Sequence, residues 1–161
     1  MIVGILIISN LFGCSVPSGG VLQNINNYES KNDDEILKAT FQVIVDSLVN
    51  KNIELLKSIM SDNALNTDDF EDGFEYCCNL LDGEITEIKQ KGSPIYTHLE
   101  KGNKWKKGDA EFHITIDSKI VYIVNFEYWY SCESDPGKLG VDRIKISNMS
   151  DTNFISMGNN G

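Results

Sequence analysis

The hydrophobic period of this chain changes once, at Gly83, and that change limits the architectures open to it. Before Gly83 apolar residues recur every three or four positions; beyond it they alternate every second position. A chain that places its helices first and its strands afterwards lacks the helix between successive strands that parallel β-α-β units need. The order therefore reads as an α+β domain, with helices packed on one face of an antiparallel sheet.

Asn32 and Glu35 have capping-box spacing, and Leu37, Phe41, Ile44, Val45 and Leu48 follow at helical intervals, predicting a helix over about 33–50. After Asn50-Lys51-Asn52, the stripe Ile53, Leu56, Ile59 and Met60 predicts a shorter second helix. Ser61 to Asn66 reads as a connection. Thr67 is placed to cap a third helix with the stripe Phe70, Phe74, Cys77 and Leu81, ended by Asp82-Gly83. Strand patterns then cover about 84–91, 94–101, 104–117, 119–132 and 140–148, separated by turn residues such as Gly92-Ser93-Pro94 and Gly102-Asn103. The expectation is three N-terminal helices on a curved antiparallel sheet of four to five strands. Phe112 and Trp105 have opposite parity, so Gly108 is read as the site of a bulge that brings them to one face. The single α+β domain is placed at 33–148, and 149–161 reads as a weakly ordered tail.

The 161 residues suit one domain with a core large enough to need no disulfide or metal. A formal net charge of -10 argues against nucleic acid as a partner, because neutralising phosphates requires clustered Lys and Arg.

Ile2 to Gly13 is an apolar run far short of the ~20 residues that span a bilayer, but of signal-peptide length. It ends in Leu11-Phe12-Gly13-Cys14, which resembles the lipobox of bacterial lipoproteins. That resemblance implies a signal peptide at 1–13 and a Cys14 thiol alkylated by diacylglycerol, carrying palmitate-type acyl chains. Two chains hold a protein at a membrane where one does not. The following Ser15 to Asn32, rich in Gly, Ser and Asn, reads as a flexible tether, so 14–32 is assigned to the lipidated cysteine and its linker. The implied location is the cell membrane, lipid-anchored on its extracytoplasmic face.

The order of three helices and a meandering sheet, with the phrase Leu48-Val49-Asn50-Lys51-Asn52-Ile53-Glu54-Leu55-Leu56-Lys57-Ser58-Ile59-Met60, resembles the nuclear transport factor 2-like superfamily. The lipobox, Asp68-Asp69-Phe70, Leu81-Asp82-Gly83-Glu84 and Asp135-Pro136-Gly137-Lys138-Leu139-Gly140 resemble uncharacterised lipoproteins of Gram-positive bacteria. The resemblance covers about residues 34 to 148. It implies a cone in which the sheet wraps the helices, and it brings no catalytic signature.

Tyr122, Phe126, Tyr128 and Tyr130 share one face of the clearest strand, and each buried tyrosine hydroxyl needs a partner. These four are the candidate ligand-binding residues, lining either a pocket or a filled core. Proton abstraction beside a carbonyl, the chemistry of an isomerase or dehydratase, would need a carboxylate or His facing those hydroxyls. His113, Glu127 and Asp142 are the candidates, and strand parity turns His113 and Glu127 away from the tyrosines. No serine-hydrolase, P-loop or dinucleotide-binding motif occurs. No catalytic residue, metal ligand or cofactor is therefore assigned. The acids Asp62, Asp68, Asp69, Glu71, Asp72 and Glu75 fail the EF-hand pattern, with Phe70 and Asn79 where oxygen ligands belong. They read as helix-start acids facing the helix dipole. Cys77, Cys78 and Cys132 read as buried thiols, although Cys132 shares the parity of Tyr130 and could face a helix cysteine across the core. Lys101, Lys104, Lys106 and Lys107 around Trp105 form a basic patch that guards a sheet edge or meets anionic envelope material. Val121, Ile123 and Trp129, on the opposite strand side, suggest a homodimer through the open sheet face.

The function expected is a non-enzymatic, membrane-anchored lipoprotein that binds a small ligand or an envelope partner. The alternative is an isomerase- or dehydratase-like enzyme using the cone pocket.

Overall fold

The computed structural model describes residues 33–150 and 154–158. The expected signal peptide at 1–13 and the expected lipidated Cys14 and tether at 14–32 lie outside the described residues. Among the described residues four helices come first: α1 (Asp33–Val49), α2 (Ile53–Lys57), α3 (Asp62–Leu65) and α4 (Phe70–Leu80). Six strands follow: β1 (Ile85–Gly92), β2 (Ile95–Glu100), β3 (Asn103–Ile116), β4 (Ile120–Cys132), β5 (Gly140–Asn148) and β6 (Phe154–Gly158), with a short 3-10 turn at Pro136–Lys138. All pairings among these strands are antiparallel, in the order β1-β3-β4-β5-β6 with β2 also on β3.

The helical stripes behave as their spacing predicts. Leu37, Phe41, Ile44, Val45 and Leu48 of α1 are buried, as are Leu56, Ile59 and Met60 around α2 and Phe70, Phe74, Cys77 and Leu81 around α4. They pack on the inner sheet face formed by Ala110, Phe112, Ile114, Ile116, Tyr122, Val124, Phe126, Tyr128, Ile144 and Ile146. Phe41 stacks flat on Phe112 at 3.7 Å between centroids and 6° between planes, joining α1 to the middle of the sheet.

Several expectations are corrected. The described residues hold four helices rather than three, because Ser61 to Asn66 is not a plain connection: the Ser61 side chain accepts the Ala64 N–H at 3.0 Å and starts α3. Thr67 does not cap the next helix, since its hydroxyl donates to the Ala64 carbonyl at 2.9 Å and α4 begins after Asp69. Gly92-Ser93-Pro94 is not a hairpin turn. Gly92 faces Glu111 and Ile95 faces Gly108, so β1 and β2 are successive parts of one bent edge along β3. Pro94 sits at the bend, where a residue without an N–H is tolerated on an edge.

Gly108 carries no bulge either. A Cβ there would lie 2.8 Å from Ile95 Cδ1 and 3.1 Å from Leu37 Cδ1, so glycine is needed for close packing of α1 and β2 on β3. The bulge falls on β4: Lys106 faces Ser131 and Lys107 faces Trp129, leaving Tyr130 unpaired. Finally, the 149–161 stretch contains β6, whose Met157 is fully buried, so the sheet extends past residue 148.

Candidate functional site

Alternation along β4 places Tyr122, Phe126 and Tyr128 on the helix side, where all three are buried core members. The bulge leaves Tyr130 beside them at the margin, its ring meeting Tyr128 edge-on at 4.9 Å between centroids. The structure thus brings the four predicted residues together as packed core with a tyrosine rim. The Tyr130 hydroxyl donates to the Asp33 carbonyl at 3.1 Å, and Lys106, paired with Asp33 at 2.6 Å, lies over the Tyr130 ring. Burial pushes the Tyr128 hydroxyl up to about 12. Burial, helped by the Asp33 charge, raises that of Tyr130 as well. Two surface depressions, one of about 300 Å³ beside Ile120 and Met149 and one of about 520 Å³ beside Lys57 and Asp68, include none of the four.

The opposite sheet face holds a second cluster that one-strand parity did not reveal. Cross-strand partners point the same way, and the ladder sets Tyr96 beside Lys107 and Trp129, and His98 beside Trp105 and Cys132. His98 stacks on Trp105 at 5.5 Å, and Trp105 tilts against Trp129 at 5.6 Å. Lys107 pairs with Glu127, which also accepts the Trp129 indole N–H at 2.8 Å, and Lys138 covers the Trp129 ring at 4.9 Å. Burial would raise the Glu127 carboxyl, but hydrogen bonds from Lys107 and Trp129 hold it below its ordinary value. Asp109, directly across from Glu127, is raised by burial against the pull of Lys107.

Two expectations change here. Trp129, expected on an open face with Val121 and Ile123, is 9% exposed, and Asn125 and Glu127 separate it from them along β4. Cys132 does not share the side of Tyr130, because the bulge inverts parity and pairs it with Trp105. Cys77, Cys78 and Cys132 are free and buried.

The candidate proton-transfer groups are not brought together. His113 contacts Glu111 at 3.1 Å, and Glu127 is held by Lys107 and Trp129. Asp142, 3% exposed, accepts the Ser61 hydroxyl at 2.7 Å from the unpaired position of a β5 bulge. Among the described residues no three His, Cys, Asp or Glu side chains are arranged to hold a metal ion. No described helix is long and apolar enough to cross a membrane.

The family model for Domain of unknown function (DUF5104) matches residues 43–151, from the middle of α1 to just beyond β5. The chain belongs to that family. The DUF5104 match thus spans the sheet core, the β4 and β5 bulges and the Ser61–Asp142 pair, and leaves β6 and the first turns of α1 outside it. No curated protein matches the chain.

Proposed function

We propose that this chain is a membrane-anchored extracytoplasmic lipoprotein, held by an acylated Cys14, whose domain binds an envelope partner or a small ligand without catalysing a reaction. The observation that carries the non-enzymatic reading is the dispersal of His113, Glu127 and Asp142, each engaged in its own contact and none facing the tyrosine hydroxyls. The lipobox residues Leu11-Phe12-Gly13-Cys14 support the anchor. The helix-then-sheet order and the stacking of α1 on β3 agree with a nuclear transport factor 2-like cone, which we propose as the fold family.

The packing of Tyr122, Phe126 and Tyr128 favours a partner over an enclosed ligand, because a pocket there would require the core to open. A small ligand would enter at the Tyr130 rim. A second copy of the chain is one such partner, meeting it at Val121 and Ile123.

The test is intact mass spectrometry of the native protein with fractionation of the cells that make it. A diacylglyceryl-modified Cys14 at the new N-terminus, recovered with membranes, is the expected result. An unmodified Met1 in that fraction overturns the anchor.

A further inference from the structure

We propose that the end of the domain formed by the β2–β3 hairpin tip and the start of α1 is its membrane-facing surface, resting on the lipid headgroups of the bilayer that holds Cys14. This rests on the lipoprotein reading above and adds to it an orientation and a contact surface.

The chain enters the domain at this end. Asp33, the first residue of α1, is fixed at this end by Lys106 at 2.6 Å and by the Tyr130 hydroxyl at 3.1 Å. From Cys14 to Asp33 there are about 19 residues, rich in Gly, Ser and Asn, and a tether of that composition and length has a root-mean-square span of about 25 Å. A domain of this size is on the order of 35 Å across. A tether shorter than the body it holds keeps the attached end toward the membrane more often than any other.

That end carries interfacial side chains. Leu99, 76% exposed, is the most exposed large apolar residue among those described, and Tyr96 on the same strand is 45% exposed. Lys101, Gly102, Asn103 and Lys104 at the tip are exposed. Trp105, half-buried, lies immediately behind it, with the buried Trp129 tilted against its ring. Tyrosine and tryptophan at headgroup depth, one leucine reaching deeper and lysines extending toward phosphate make the usual composition of a membrane–water boundary.

Most charge at this end is paired: the first turn of α1 carries Asp33, Asp34 and Glu35, of which Asp34 meets Lys38 at 2.6 Å. Lys106 pairs with Asp33, Lys107 with Glu127 and Lys104 with Glu133, while Glu100 lies 3.4 Å from His98. Lys101 has no ion pair among the described residues. The acids Asp68, Asp69, Glu71, Asp72 and Glu75 belong instead to the α4 region, which packs on β6 at the far edge of the sheet. With this end turned to the bilayer, the α4 acids stand away from anionic lipid.

The experiment couples the full chain through Cys14 to maleimide-bearing lipid in phosphatidylglycerol vesicles with a nitroxide on the headgroup, and reads tryptophan fluorescence. The expected result is quenching of about twofold relative to label-free vesicles, largely reversed by Leu99→Glu while the protein still floats with the vesicles. Leu99 is exposed enough for that substitution to leave the fold intact. Unquenched wild-type protein, or Leu99→Glu quenched equally, overturns the proposal. So does a tryptophan response to soluble polyglycerol phosphate without one to vesicles, which would assign the surface to wall polymer. Because coupling supplies the anchor chemically, loss of Cys14 acylation in cells would overturn the lipoprotein reading without affecting this readout.

Discussion

Ser61 donates its hydroxyl hydrogen to Asp142 across 81 residues of sequence, at 2.7 Å, with both side chains buried. The same Ser61 oxygen accepts the Ala64 N–H, so one side chain starts α3 and satisfies the carboxylate of a β5 bulge. A parallel bridge between Met60 and Val141 holds the two segments together beside it. Ser61→Ala removes the cap and leaves a buried carboxylate without that donor, so a loss of about 2–4 kcal/mol is expected. Asp142→Asn still accepts from Ser61 and costs less. Urea denaturation of the two variants orders them, and equal small losses would show that the pair contributes little.

Burial pushes the Cys77 thiol up to about 12, with the neighbouring Cys78 adding to it. The reactive species is the thiolate, so Cys77 resists alkylation in the native protein near pH 8. After denaturation without reductant, Cys77, Cys78 and Cys132 all become modified, because all three are free. Peptide mapping that finds two of them protected would show a disulfide instead.

Tyr128 predicts an alkaline limit to stability. Its folded-state value, about 12, lies above the ordinary 10, so the folded protein keeps a proton that the unfolded chain releases. The associated stability is present below pH 10 and is lost as pH rises through about 12. Tyrosinate absorbance followed alongside circular dichroism checks this: Tyr128 ionises only as the fold is lost. Tyr128→Phe keeps the ring and its packing and, because no described group hydrogen-bonds the Tyr128 hydroxyl, shifts stability by under about 1 kcal/mol. A ligand that binds at the rim loses affinity in this variant, whereas an envelope partner on another face does not.

Asp34 predicts the acid limit. Hydrogen bonds from Lys38, Ser93 and Gln90 hold its carboxyl down at about 2, against an ordinary 3.8. The sign is the reverse of that for Tyr128: stability is present above pH 4 and is lost as pH falls through about 2. The side chain is 34% exposed, which limits the contribution to about 1 kcal/mol. Asp34→Asn should therefore melt below wild type at neutral pH and match it near pH 2. A constant difference across that range would assign the effect to packing.

The helices and strands were largely legible in the residues, because burial imposes a period that each element carries within itself. Leu37, Phe41, Ile44, Val45 and Leu48 lie on the core side of α1 for the same reason that Tyr122, Val124, Phe126 and Tyr128 lie on the core side of β4. The role of Gly108 was not legible, since what excludes a side chain there is Ile95 from β2 and Leu37 from α1. β6 was missed because Phe154–Gly158 is too short to show a period.

What the chain determined by itself is the α+β class, the antiparallel sheet and the inward stripes of α1, α4 and the middle of β4, which follow from element order and local spacing. Only the tertiary structure decided that Tyr130 is the unpaired residue of β4, and so that Cys132 stands with Trp105 on the outer face. It also decided that Tyr96, His98, Lys107 and Glu127 converge with Trp129, and that Ser61 meets Asp142. The physical reason is common to these cases. A bulge, a cross-strand neighbour and a buried hydrogen bond are set by registers between segments far apart in sequence, and a single strand's alternation carries no record of the register in which it will pair.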